Sequence, residues 1–477
     1  MDPLKNKIPS KIDTIHLLAV CGTGMAALAV MLRDLGYRVS GSDQNVYPPM
    51  STFLADHGIS IRQGYKPAHL DSHLDLVIVG NAISRDNPEA MRLAELGLHY
   101  CSMPQAVNHF LAKGKKALVV TGTHGKTTTS SLLAWILYKA GRDPSFIIGG
   151  ILHDFKSNHR LGSGDFVVIE GDEYDTAFFD KGPKFLHYRP HTAILTSVEF
   201  DHADIFTDLN HVTAAFDQFL NGVPDHCRVF AFDGDKNIAA LTTAVTGNRP
   251  AMVRKYGCQP DSMWRLGSAR IENGWTDFDI FKREKHFGKF RTRLPGRHNL
   301  LNTLAAVAVA DRIGLTASEI AGALETFTGI RRRQEVRGIK RDITVIDDFA
   351  HHPTAVLETV AAIRSHYPAG RLIAVFEPRT NTSMRNVFQK TYATVFDPAD
   401  IICIRTPSMI QKVPTAERFS SEKLVSDLIH RKKDAHHFEN TDQIISYLID
   451  IAMAGDVILV MSNGGFDNIH QRLLDRL

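Results

Sequence analysis

The chain has 477 residues, more than a single hydrophobic core normally serves, so two to four domains are expected. Hydrophobic residues make up 44% and charged residues 22%, as in ordinary soluble globular proteins, and a net charge of +3 argues against a nucleic-acid-binding stripe. The five cysteines are widely spaced and include no C-x-x-C pair, which suggests neither a disulfide framework nor a zinc site and fits a reducing cytoplasm.

The N-terminus MDPLKNKIPSKID lacks the apolar run of a secretion signal, and the charge-free run 17–32 is broken by two glycines after a strand-like LLAV, so no membrane span is expected. Short apolar, β-branched runs then alternate with helix-like segments: IHLLAV at 15, LVIVG at 76, ALVVTG at 117, FVVIEG at 166, TAILTSV at 192, ITVID at 343, LIAVFEP at 372, IICI at 401 and VILVMSN at 457. This pattern predicts stacked βαβ units with buried parallel sheets, an α/β fold. The stretch 255–293 breaks the rhythm and reads as antiparallel strands.

After the first strand, Gly22-Thr23-Gly24-Met-Ala-Ala27 has the form G-x-G-x-x-A, with Asp43 ending the next strand-like run. Such a loop needs only an anionic phosphate at a helix N-terminus, so a UDP-sugar pyrophosphate suits it as well as NAD does. The most informative stretch is ALVVTGTHGKTTT at 117–129. A strand entering a Gly-flanked turn and then a helix presents backbone N–H groups, a lysine and a hydroxyl to nucleotide phosphates and Mg²⁺. It is a shortened nucleotide loop, with only Thr123 and His124 between Gly122 and Gly125.

Two further strand ends deliver FVVIEGDEYD, carrying Glu170, and EFDHAD, carrying His202. Carboxylates there suit a hard cation, with Thr127 and Glu170 holding one ion and His202 serving a second ion or a phosphate oxygen; a solvated acidic loop is the plain alternative. Gly296-Arg-His-Asn299 opens a helix, where Asn299 is either a cap or a reader of an adenine edge. Arg331-Arg332-Arg333 is in part a solvated face and in part a phosphate clamp. Asp348 ends a strand where it can accept from a ribose hydroxyl, whereas His351 and His352, being adjacent, point apart and do not predict a chelate.

Taken in order, GTGMAALA, TGTHGKTTT, EGDEYD, EFDHAD, GRHNLLNTLAA, RRRQEVRG, DDFAHHPT and EPRTNT resemble the motifs of the Mur ligases. This family adds amino acids or peptides to UDP-N-acetylmuramate. The resemblance implies a Rossmann-like N-terminal domain over 1–113 for UDP-N-acetylmuramate, a central P-loop ATPase domain over 114–333, and a Rossmann-like C-terminal domain over 334–477 for the peptide. It implies ATP and Mg²⁺, with Lys126, Glu170, His202 and Arg333 as the catalytic set. Gly122, Thr123, His124, Gly125, Lys126, Thr127, Thr128, Asn299, Arg333 and Asp348 would contact ATP, and Thr127, Glu170 and His202 the metal. Gly22, Thr23, Gly24, Asp43 and Asn81 fall in the UDP-sugar region, with His352 and Arg379 assigned to the incoming peptide.

Within the family, the first loop, GNAISRDNPE and DDFAHHPT are similar to the branch that adds L-alanine. CGTGM, SDQNVYPPMST, EFDHADIF, RRRQE and MSNGGFDNIH are similar to the branch that attaches the murein tripeptide L-alanyl-γ-D-glutamyl-meso-diaminopimelate, which is the expectation adopted. No lysine lies between Lys184 and Lys236, where several members carry a carbamylated lysine supporting the second metal. Other classes explain less: an NAD dehydrogenase leaves the phosphate loop unused, and a regulatory nucleotide-binding module leaves the first domain idle.

Overall fold

Each apolar run singled out in the sequence becomes a largely buried parallel strand, because a chain covered by helices on both faces must be apolar throughout. The computed structural model describes residues 1–249 and 252–477. A first parallel sheet contains β1 (Thr14–Leu18), β2 (Arg38–Asp43), β3 (Ser60–Gln63), β4 (Leu76–Val79) and β5 (Tyr100–Ser102), in the order β3-β2-β1-β4-β5. The order reverses beside β1, and the crevice at such a switch point receives the loop at Gly22.

The central sheet begins with β6 (Lys116–Thr121), β7 (Ser145–Leu152), β8 (Ser157–Arg160) and β9 (Phe166–Gly171). A separate hairpin, β10 (Asp175–Ala177) and β11 (Asp180–Pro183), follows the acidic segment that reads as loop in the sequence. The sheet continues with β12 (Thr192–Leu195), β13 (Arg228–Phe232), β14 (Val253–Gly257), β15 (Trp264–Glu272), β16 (Trp275–Lys282) and β17 (Lys285–Thr292). Its order, β17-β16-β15-β14-β13-β12-β6-β9-β7-β8, places β6 between β12 and β9, so the phosphate loop leaves from another switch point. The stretch 255–293 does contain antiparallel strands, and they extend the central sheet through β14 rather than standing apart from it. The helices Lys126–Lys139 and Arg297–Arg312 share one core; Ala305, Ala306, Ala308 and Ala310 are fully buried, and their small side chains let the two helices approach closely.

The chain crosses into its last sheet through Arg331–Gln334, with left-handed φ at Arg332 (59°) and Gln334 (51°). That sheet, β18 (Glu335–Lys340), β19 (Ile343–Asp348), β20 (Leu372–Phe376), β21 (Ile401–Arg405), β22 (Asp434–Phe438) and β23 (Val457–Met461), has the order β18-β19-β23-β20-β21-β22. All five cysteines are free, and among the described residues no helix is long and apolar enough to cross a membrane.

Candidate active site

The loop after β6 is shaped by two glycines for different reasons. Gly122 has φ +134°, and a Cβ there would lie 2.8 Å from the Ser197 amide nitrogen. Gly125, at φ +78°, heads the helix Lys126–Lys139, and a Cβ on it would meet Asn302 Oδ1 at 2.6 Å. The shortened loop is braced on the segment after β12: Thr123 N–H donates to the Ser197 carbonyl (3.0 Å) and His124 N–H to Ser197 Oγ (2.8 Å). Thr128 is buried on the first turn of the helix.

Four of the residues expected to act together converge here. Thr127 Oγ1 donates to Glu170 Oε1 (2.9 Å), and Glu170 Oε2 accepts from Gly149 N–H (2.7 Å). Arg333 reaches from the domain junction to Thr127 Oγ1 (3.2 Å), its guanidinium over the Phe349 ring. Lys126 Nζ donates to the Gly122 carbonyl (2.6 Å) and pairs with Glu173 Oε2 (2.8 Å). The lysine was expected to serve phosphate alone; it also carries a buried ion pair, because Glu173 is 1% exposed and needs a cation.

The other Glu173 oxygen, Oε1, is buried without a hydrogen-bond partner, 3.3 Å from His202 Nε2. Burial opposes ionisation of Glu173, but Lys126 and His202 hold its carboxyl down at about 2. Burial likewise opposes the His202 cation, yet the Glu173 carboxylate facing it raises the imidazole above its ordinary value. Glu170 is shifted the other way, upward, by burial and then by Asp172, with Lys126 opposing. The site thus holds Glu173 ionised, while the upward shift of Glu170 is one that a bound cation would oppose. Glu173 was not assigned a role from the sequence, since an acidic run at a strand end does not reveal which carboxylates turn inward.

Around this centre the remaining expectations divide. Asn299 is not a cap: its Nδ2 donates to the Pro295 carbonyl (2.7 Å) and to Gln334 Oε1 (2.9 Å), tying the helix to the junction. Asp348 is buried, with its oxygens accepting from Gln334 N–H (2.8 Å), Ala350 N–H (2.7 Å) and Thr359 Oγ1 (3.4 Å). This corrects the picture of a carboxylate free to meet ribose; it organises the turn after β19. Of the arginine run, Arg331 is exposed, while Arg332 caps the carbonyls of Ser462, Asn463 and Gly464.

His352 needs a correction too. It is 6% exposed, caps the helix Pro353–His366 and donates through Nε2 to the Phe200 carbonyl (3.1 Å), so its ring is enclosed at the junction of the central and C-terminal domains instead of facing a peptide. Arg379 is partly exposed beside buried Glu377 (3.8 Å), against Gly464 at the end of the last sheet.

In the first domain, Gly22 caps the helix Thr23–Asp34, and Gly22 and Thr23 are exposed. Gly24 approaches closely, a Cβ there lying 3.0 Å from Met103 Cε. Asp43 accepts from Cys21 N–H (2.9 Å) and Asn45 N–H (2.9 Å), so it shapes the loop. Asn81 Nδ2 donates to the Asp175 carbonyl (2.8 Å), and these two, with Tyr174, His202, Asp204 and Ile205, line a cleft of about 430 Å³ between the first domain and the loop centre.

A phosphate loop at a switch point, inward carboxylates, and flanking α/β domains joined to it by an arginine and an asparagine define a three-domain α/β protein built around a nucleotide-phosphate site. Family models match along the chain: "Mur ligase family, catalytic domain" over residues 14–115, "Mur ligase middle domain" over 120–310 and "Mur ligase, glutamate ligase domain" over 332–464. The chain is 40% identical to the UDP-N-acetylmuramate–L-alanyl-γ-D-glutamyl-meso-2,6-diaminoheptandioate ligase of Escherichia coli K12, covering 97% of this chain and 98% of that one. It is 33% identical to the UDP-N-acetylmuramate–L-alanine ligase of Syntrophomonas wolfei, covering 97% of each. A crystal structure of a murein peptide ligase from Psychrobacter arcticus superposes with a TM-score of 0.69 at 34% identity, covering 97% and 98% of the two chains. The chain belongs to the Mur ligase family, and it is an ADP-forming ligase that makes a carbon–nitrogen bond.

Proposed function

We propose that the enzyme uses ATP to join L-alanyl-γ-D-glutamyl-meso-diaminopimelate to UDP-N-acetylmuramate, returning cell-wall tripeptide to peptidoglycan synthesis. The observation that carries this reading is the identity of 40% over nearly the whole length to a tripeptide ligase, against 33% to an L-alanine ligase. The division of labour is 1–113 for the UDP-sugar, 114–333 for ATP and 334–477 for the peptide. Nucleotide substrates and five free cysteines suit a cytoplasmic location.

A carboxylate is a poor electrophile until one oxygen becomes part of a leaving group. The lactyl carboxylate of UDP-N-acetylmuramate attacks the γ-phosphorus of ATP; the new O–P bond forms as the bond to the ADP oxygen breaks. The alanine amine of the peptide then attacks the acyl carbon, loses a proton, and inorganic phosphate departs as the amide forms. Lys126 and the amides at the helix N-terminus offset charge on the transferring phosphoryl, and Arg333 closes over the same phosphates from the junction.

The residues present fit Mg²⁺. Thr127 Oγ1 and Glu170 Oε1 are hard oxygen donors held 2.9 Å apart. The partnerless Glu173 oxygen beside His202 would offer a second ion a carboxylate, in a chain that lacks the carbamylated lysine of several Mur ligases. When bound, Mg²⁺ would neutralise the β- and γ-phosphate oxygens.

The test is ADP release with UDP-N-acetylmuramate and either the free tripeptide or L-alanine under matched conditions, followed by the mass of the product. Far more efficient use of the tripeptide is expected. A preference for L-alanine would move the chain to the alanine-adding branch.

A further inference from the structure

Beside the phosphate loop, two imidazoles and a carboxylate converge that the ligation scheme does not use. His124 Nε2 lies 3.0 Å from Glu199 Oε2, and His352 Nδ1 lies 3.4 Å from the same oxygen. All three ligand atoms are within 4.8 Å of one another, and among the described residues this is the one His/Cys/Asp/Glu trio that converges in this way. We propose that His124, Glu199 and His352 form a site for a Zn²⁺-class transition metal that clamps the C-terminal domain onto the phosphate loop.

The first argument is geometric. Metal–ligand bonds of about 2.0–2.1 Å at tetrahedral angles hold ligand atoms about 3.3 Å apart. The two edges through Glu199, 3.0 and 3.4 Å, already have that length, so an ion is accommodated by small side-chain rotations. The imidazole rings stand with centroids 4.4 Å apart and planes inclined at 44°.

The second argument is the surrounding hydrogen bonding. His352 donates its Nε2–H to the Phe200 carbonyl, while its Nδ1 accepts from Thr354 N–H at 3.3 Å and lies beside Glu199 Oε2. Fixing the remote ring N–H on a backbone carbonyl is the usual support of a metal-ligating histidine. Glu199 is oriented by Thr354 Oγ1, which donates to it at 2.8 Å.

The third argument is donor chemistry. His352 is a neutral imidazole, since one ring nitrogen donates to the Phe200 carbonyl and the other accepts from Thr354 N–H. Glu199 Oε2 accepts from His124 Nε2 and from Thr354 Oγ1, so it stands in the trio as the carboxylate donor. To join the set, His124 would turn an Nε2 lone pair to the ion in place of the hydrogen bond it now makes to Glu199. Two neutral imidazoles and one carboxylate, with a water in the fourth position, select Zn²⁺ over Mg²⁺, in contrast to the all-oxygen pair at Thr127 and Glu170. His124 and Glu199 belong to the central domain and His352 heads the helix Pro353–His366 of the last one, so one ion would bridge them.

The site can be tested on full-length protein stripped of metal with a chelator and titrated with Zn²⁺ by calorimetry in excess Mg²⁺, without nucleotide. One tight equivalent is expected, weakened about a hundredfold in His352→Gln and in His124→Gln. Co²⁺ in the wild-type protein should give the intense visible absorption of a four-coordinate ion, a reading that does not depend on either variant folding. Absence of a tight equivalent, a six-coordinate Co²⁺ spectrum, or equal Zn²⁺ binding in folded variants and wild type would overturn the proposal.

Discussion

Lys126 shows how surroundings alter what a motif predicts. A lysine serving only phosphate would be removable without structural cost, yet here it neutralises Glu173, which is 1% exposed. Lys126→Ala should therefore lower turnover on the order of a thousandfold and also lower the thermal midpoint, since a buried carboxylate stripped of its partner costs about 3–5 kcal/mol. Adding Glu173→Gln should restore much of the midpoint but none of the turnover; calorimetry and ADP release separate the two effects. Glu170→Gln should raise the Mg²⁺ concentration for half-maximal activity about tenfold or more, with UDP-N-acetylmuramate affinity little changed because that ligand is assigned to another domain. An unchanged Mg²⁺ titration would make Glu170 a structural carboxylate that only accepts from Thr127 and Gly149. The residues legible in sequence were those fixed by local geometry, such as Gly122, Lys126 and Thr127. Glu173 and the inward turn of His352 were not, because both depend on which partners the tertiary fold places opposite them.

At the level of single elements, apolar β-branched runs were enough to locate the core strands, since burial on both faces leaves little choice of residue. Short strands with polar or glycine-rich sequences, β3 (SIRQ), β7 (SFIIGGIL) and β22 (DAHHF), gave no such signal, being held by pairing with neighbours. Strand β1 carries a further consequence in His16, fully buried with its ring nitrogens at Ser40 Oγ (2.8 Å) and Ser42 Oγ (3.2 Å). Burial pushes its pKa from 6.5 down to about 3, so the folded chain holds it neutral. Above pH 6.5 both folded and unfolded states are neutral and its contribution is complete. As pH falls below that value only the unfolded chain takes up the proton, so the first domain should lose about 2 kcal/mol by about pH 5 and continue to lose stability toward the folded pKa. Amide exchange in β1 and β2, corrected for intrinsic rates, should show this loss in the wild type and a smaller one in His16→Gln.

For the whole molecule, the alternation of strands and helices announced three α/β units, whereas the contacts between them were invisible in sequence. Asn381 Nδ2 donates to Asp204 (2.9 Å) and Thr382 Oγ1 accepts from Ala203 N–H (3.0 Å), so the loop after β20 rests on the segment that follows His202. Arg379 stands on that same loop, near Glu377 and Gly464. Arg379→Ala should raise the KM for the tripeptide about tenfold with ATP affinity little changed, and a selective loss of ATP affinity would place this arginine elsewhere in the reaction. The linker that joins these units has its own implication. Left-handed backbone costs a residue with a Cβ roughly 1–2 kcal/mol, and Arg332 and Gln334 both adopt it on either side of Arg333. They are kept there by three carbonyls on Arg332, by Asp348 on the Gln334 amide and by Asn299 on its side chain. The joint is therefore sprung, not slack: it has a rest angle, and at that angle Arg333 already points at Thr127.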